Sequence, residues 1–214
     1  MKRCLMGSIV AVGLVCFVVS SAISDEPPKK PGAQSEAEPG DDAGAEAEMM
    51  AAWLALAVPG EHHKHLQPTI GHFKHEVKWR MAEEAPWNTS EGTTDRKWIM
   101  GNRFIEETVK GDMDGKMFEG LGLLGYDNAQ KFYVSMWLDS MGTGLMTSKG
   151  HCDASGKVFT LFGDMYDPMT RQNKTVKTIL RIINNDKFVL EMFDTDDTGK
   201  EFMSMTISYT RRTG

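Results

Sequence analysis

The side chains able to do chemistry gather at two places in this chain of 214 residues. Five of the six histidines, His62, His63, His65, His72 and His75, fall in one short window. Zinc needs three or four such ligands converging as a tetrahedron. His62 and His65 can share a helical face, but His72 and His75 point to opposite sides of a strand. No cysteine or paired glutamate completes a ligand set, so no metal is expected. The histidines read as solvated helix residues plus one interior side chain, His75. The second place is Trp137-Leu138-Asp139-Ser140. Trp137 and Asp139 share a strand face, and a carboxylate beside a large aromatic at a barrel mouth can acquire a raised pKa and bind or protonate a ligand. The plainer role for Asp139 is capping the turn that follows. Asp139, Asp127 and His75 are the candidate acid–base groups if the chain catalyses anything.

Other motifs fail in context. Gly120-Leu-Gly-Leu-Leu-Gly125 has the dinucleotide-binding spacing, but turn residues follow it where a helix N-terminus should hold pyrophosphate. Its physical content is the pair Gly120 and Gly122, which leaves a stripe free of side chains for a bend or a large neighbour; Gly142 and Gly144 suggest the same. Asp194 to Gly199 opens like a calcium loop, yet Met205 stands where the bidentate glutamate belongs. His151 and Cys152 are adjacent, so on a strand they point apart and cannot pair as base and nucleophile. No serine sits in a nucleophile elbow.

The elements that must position these residues are strands. From Gly71 to Arg212 the chain repeats a short strand and a turn about ten times. In the clearest strand Phe73, His75, Val77, Trp79 and Met81 share one side, and Lys74, Glu76, Lys78 and Arg80 share the other. Further strands are expected near 90–100, 103–110, 116–124, 131–138, 143–151, 157–166, 174–183, 187–194 and 201–211. Gly, Asp and Asn punctuate them as hairpin turns do, and nothing between them is long enough for a crossover helix. The expected fold is all-β: an antiparallel up-and-down β-barrel of about ten strands over 71–212, preceded by a short helix within 48–70 that could plug one end or, lacking a basic face, less readily contact a membrane. Methionine is abundant at 16 residues, and its adaptability suits an interior that accepts apolar guests and equally a dense core.

The start of the chain reads as an export signal, with a basic Lys2-Arg3, an apolar Leu5 to Val19, and Ala22 and Ser24 preceding cleavage between Ser24 and Asp25. The apolar run is short for a membrane span. The protein is therefore expected in the periplasm or secreted, with no membrane span after cleavage. Cys152 would then be alone, so stability must come from the core rather than a disulfide. Residues 25–47 are rich in Pro, Gly, Ala and Glu and read as a disordered acidic linker. Residues 25–49 carry eight acids against two lysines, which accounts for the net charge of −6 and leaves the barrel nearly neutral. Without a basic stripe, nucleic acid is excluded as a partner. Oligomeric state stays open.

Several stretches together resemble the uncharacterised bacterial family known as domain of unknown function 1579. They are Pro59 to Phe73 with His63, Leu66 and Gly71; Trp98-Ile-Met-Gly-Asn-Arg-Phe104; Gly120 to Asp127; Tyr133 to Ser140; and Tyr209-Thr-Arg211. The resemblance implies no activity. A looser likeness is to lipocalin-like barrels, which open with Gly-x-Trp and end with an Arg that packs on that Trp. Gly71, Phe73 and Arg211 would play those parts here, with Phe in place of Trp. The expected function is a non-catalytic exported barrel binding an apolar small molecule or lipid. Phe73, His75, Val77, Trp79, Phe132 and Trp137 would line it, with Arg103 or Asp139 orienting a polar end. The alternatives are an enzyme using a barrel-mouth carboxylate or histidine, and a haem barrel. The haem barrel needs an axial histidine late in the chain, where none follows His151. No cofactor is expected.

Overall fold

The computed structural model describes residues 42–113, 115–168 and 170–213. The expected signal segment 1–24, its cleavage point and the acidic stretch up to residue 41 lie outside the described residues. Ten antiparallel strands form one closed barrel in the order β1-β10-β9-β8-β7-β6-β5-β4-β3-β2. They are β1 (Gly71–Trp79), β2 (Asn88–Ile99), β3 (Phe104–Met113), β4 (Lys116–Asp127), β5 (Phe132–Asp139), β6 (Met146–Cys152), β7 (Val158–Asp167), β8 (Gln172–Asn184), β9 (Lys187–Thr195) and β10 (Glu201–Arg211). Each strand pairs with its sequence neighbour, and β1 pairs with β10, Phe73 opposite Arg211 through Trp79 opposite Met205. Closure leaves no sheet edge to template another chain.

Before the barrel come α1 (Asp42–Leu56), α2 (Glu61–Lys64) and a 3₁₀ turn over Gln67–Thr69. Helix α1 begins at Asp42 rather than at Met49, inside the stretch expected as linker. Ala43, Ala45, Glu46, Ala47 and Glu48 are strong helix formers, and they extend the apolar run of Met49 to Leu56 backward. Its Met49, Met50, Trp53 and Leu54 are exposed. No helix among the described residues is long and apolar enough to cross a membrane.

Period-two alternation puts Phe73, His75, Val77 and Trp79 inside, and register carries that parity around the wall. The two ends of the interior differ. At the end carrying α2, the interior is packed solid: Leu66, Phe73, Ile105 and Phe159 have no exposed surface, and Tyr133 and Phe188 are 1% exposed. Phe73, Phe188 and Tyr209 interlock, edge-on at 4.9 Å between the first two and stacked at 4.2 Å between the last two. Burial of each such side chain is worth about 1.5–3 kcal/mol, so this half carries much of the stability.

The methionines do less than expected. Met146, Met192 and Met205 face inward, opposite Trp137, Thr178 and Trp79 respectively, but Met81, Met100 and Met117 are exposed in or beside turns. Gly142 and Gly144 form no stripe; they lie in the β5–β6 loop with room around them.

Candidate functional site

The plugged end is built from the histidine window. His63 is buried, not solvated as expected: the docked helix sets its ring edge-on to Tyr126 at 6.0 Å, and Gly60 N–H donates to its Nδ1 at 3.1 Å. His62 stacks on Tyr126 at 4.1 Å. The Tyr133 hydroxyl donates to the His62 carbonyl at 3.0 Å and meets His65 Nδ1 at 3.1 Å. The rings serve as packing, and among the described residues no three His, Cys, Asp or Glu side chains are grouped to hold a metal. Arg211, directly opposite Phe73 on the same face, clamps this end. Its Nη1 donates to the Ile70 carbonyl at 2.7 Å, Nη2 to Pro68 at 3.0 Å and Nε to Asn185 at 2.9 Å. The guanidinium lies 4.7 Å over the Phe73 ring. Gly71 allows this: at its φ of 131° a Cβ would stand 2.2 Å from Arg211 Nη1.

Across the middle of the interior runs a polar layer. His75 Nδ1 meets Thr94 Oγ1 at 2.8 Å. Arg96 and Glu107 are directly opposite each other on β2 and β3, with Arg96 Nη1 donating to Glu107 Oε2 at 2.7 Å. Their side chains are 3% and 14% exposed. The Arg96 guanidinium lies 5.3 Å over Phe188. Burial, and then the Glu107 carboxylate, push the Tyr209 phenol well above its ordinary pKa, so it stays neutral.

Beyond this layer the inward face mixes buried Val109, Val176 and Phe202 and the Lys174–Asp194 pair, at 2.6 Å, with apolar side chains that keep exposed surface. Val77, Trp79, Trp137, Leu190, Met192 and Ile207 all face inward, yet each is only half-buried. Trp137 lies flat over the glycine stripe, and a Cβ on Gly120 or Gly122 would come within 2.5 or 3.3 Å of its ring. Its Nε1 donates to Asp139 Oδ2 at 2.8 Å, while Asp139 Oδ1 accepts the Met141 N–H at 2.9 Å. Asp139 thus holds the indole and caps the turn together.

Two expected lining residues are elsewhere. Phe132 and Trp137 are five residues apart, an odd spacing that puts them on opposite faces. Tyr133 takes the inward position, and Phe132 lines a groove of about 680 Å³ on the outer wall with Phe104, Leu123, Val134, Met136 and Phe162. Arg103 is exposed in the β2–β3 turn at the plugged end, its Nη1 donating to the Met100 carbonyl at 2.9 Å. It cannot orient a ligand inside the barrel. The acid–base candidates are not brought together. Asp127 caps the β4–β5 turn at the plugged end, accepting Ala129 and Gln130 N–H groups, which hold its carboxyl below the usual range. Asp139 is at the far end of β5, and His75 lies between. His151 is exposed on the outer face. Cys152 faces inward, where burial and then the Asp153 charge push its thiol up to about 11, so it is no nucleophile at neutral pH.

Among the described residues, Arg96 and Glu107 carry buried polar atoms without a partner that the sequence did not disclose, and the Tyr209 hydroxyl hydrogen-bonds Glu107 beside them. Strand β2 reads Asn88-Thr-Ser-Glu-Gly-Thr-Thr-Asp-Arg-Lys97, polar on both faces, so alternation within it marks no inner side.

Burial lowers the pKa of His62, His63 and His75. The unfolded chain therefore binds their protons first as pH falls below about 6.5. Stability is full above that value and is lost progressively as pH falls through the depressed folded-state values. Urea midpoints should drop between pH 7.5 and 5, and the His63→Gln variant should show a shallower drop. A flat profile would contradict the packed-histidine plug.

Among solved structures, the chain is similar to Rv2717c from M. tuberculosis, at 12% identity and TM-score 0.55, over 73% of this chain and 100% of that one. A redesigned β-barrel is also 12% identical, over 71% of this chain and 96% of that one, at TM-score 0.38. The first of these likenesses bears on the fold alone. No curated protein is detectably similar. The sequence model of a family described as protein of unknown function DUF1579 matches residues 58–211, from just before the plug through the clamping arginine, and the chain belongs to that family.

Proposed function

We propose that the barrel is a non-catalytic receptor for an apolar small molecule or lipid, held in the half of the interior away from the plug. One observation carries this reading. Six inward side chains of that half, Val77, Trp79, Trp137, Leu190, Met192 and Ile207, are apolar and only half-buried, although Val109, Val176 and Phe202 beside them are buried, whereas Phe73 and Phe159 at the plugged end have no exposed surface. A concave apolar surface with a few convergent polar groups is the ordinary form of a small-molecule site. The basic and apolar start of the chain supports an exported setting, with the acidic segment as a spacer.

Titration of the purified protein with Nile red, a neutral apolar dye, tests the reading. Saturable one-to-one binding with a blue-shifted emission is expected. The outer groove and the exposed face of α1 can also take up dye, so the deciding comparison is Ile207→Trp, which fills the open half. That variant should weaken the saturable site at least tenfold while melting at the wild-type temperature. Dye uptake indifferent to Ile207→Trp would remove the interior from consideration.

A further inference from the structure

Resting on that reading, we propose that the ligand ends in a neutral group that both accepts and donates hydrogen bonds, of the carboxamide class, seated against the Arg96–Glu107 pair. Arg96 Nε and Nη2 and Glu107 Oε1 are buried and find no hydrogen-bond partner among the described residues. Buried polar atoms are nearly always satisfied, so three orphans on one ion pair mark a place where something else completes the network.

The identity of the orphans says what completes it. Nε–H and one Nη2–H lie on the same edge of the planar guanidinium and point in parallel, a two-donor fork made for acceptor oxygen. The one engaged nitrogen, Nη1, is on the other side and is held by Glu107 Oε2. Glu107 Oε1 is an acceptor and calls for a donor. The pair also borders the open half of the interior. Glu107 stands opposite Gly122, which stands opposite Trp137. A Cβ on Gly122 would lie 3.4 Å from Glu107 Oε2 and 3.3 Å from the indole. The carboxylate thus adjoins the aromatic wall that an apolar chain would follow.

Charge selects among head groups. Arg96 is already neutralised by Glu107, Tyr209 is a neutral phenol, and His75 is buried against Thr94. An ionised carboxylate placed there would add an uncompensated negative charge beside Glu107 in a dry interior. A carboxamide brings an oxygen for the fork and an N–H for Oε1 with no net charge.

Displacement of Nile red by decanamide, methyl decanoate and decanoate at pH 8 tests this. The ester accepts but cannot donate, and decanoate is an anion. Decanamide should bind at least roughly tenfold more tightly than either, the difference expected of a hydrogen bond to a charged group. In the double variant Arg96→Met/Glu107→Leu the amide and ester should bind alike. Equal wild-type affinities for amide and ester, or a preference for decanoate, would overturn the head-group assignment while leaving the apolar receptor standing. A wild-type protein that takes up no Nile red in its interior would overturn the receptor reading itself.

Discussion

Arg96→Ala should destabilise the protein by about 3–5 kcal/mol, because it strands the Glu107 carboxylate inside the barrel without its partner. The magnitude follows from location. At 3% and 14% exposure the two side chains have little water to fall back on, unlike the exposed pair Lys64–Glu61, where truncation should cost about 1 kcal/mol or less. The pair is not expected to stabilise the fold in net terms, since removing two charges from water costs several kcal/mol per ion. Replacing both together, as Arg96→Met/Glu107→Leu, should therefore recover most of the loss and leave the protein within about 1–2 kcal/mol of the wild type. Urea unfolding of the wild type, the single variant and the double variant measures this. Equal losses in single and double variants would mean that the pair is a net source of stability and not a functional feature tolerated at a cost.

Arg211→Ala should lower the melting temperature by roughly 6–12 °C, corresponding to about 3 kcal/mol for a domain of this size. Arg211 serves the carbonyls of Pro68, Ile70 and Asn185, which join the 3₁₀ turn, the start of β1 and the β8–β9 turn. Hydrogen bonds from a charged donor are worth about 1.5–3 kcal/mol, and the guanidinium over Phe73 adds about 0.5–2 kcal/mol, though such terms do not simply add. Arg211→Lys should recover little, because an ammonium cannot reach three carbonyls and lie flat on a ring at once. Gly71→Ala should mimic the loss by driving a methyl into Nη1, and the double variant Gly71→Ala/Arg211→Ala should be less destabilised than the sum. Thermal melts followed by near-ultraviolet circular dichroism report on this aromatic end directly. An Arg211→Ala protein that melts with the wild type would show that the plug closes the barrel without its clamp.

The number of strands, their antiparallel order and the inward set of β1 were legible in the sequence. Short strands joined by Asp, Asn and Gly turns can pair only with their neighbours, and Phe73-Lys-His-Glu-Val-Lys-Trp79 alternates cleanly. The glycine pair at 120 and 122 also announced a close neighbour, and Trp137 is that neighbour. Where alternation failed, so did the reading. Phe132, Tyr133 and Val134 are apolar on both faces, and only the pairing of Tyr133 with Gly150 and Tyr126 shows that Phe132 looks outward. The polar residues of β2 are ambiguous in the opposite sense. Period two says that Thr94, Arg96 and Trp98 share a face, but not that this face is the interior. That was decided by closure: the clean pattern of β1 propagates through the register to β2 and β3, and it places Arg96 and Glu107 inside together. His63 was likewise out of reach, because its burial depends on where α2 docks rather than on any local pattern. The sequence by itself determined the wall of this protein, since hairpin pairing is local. Only the tertiary structure decided what the wall encloses, since the inner face of a polar strand is set by its neighbours.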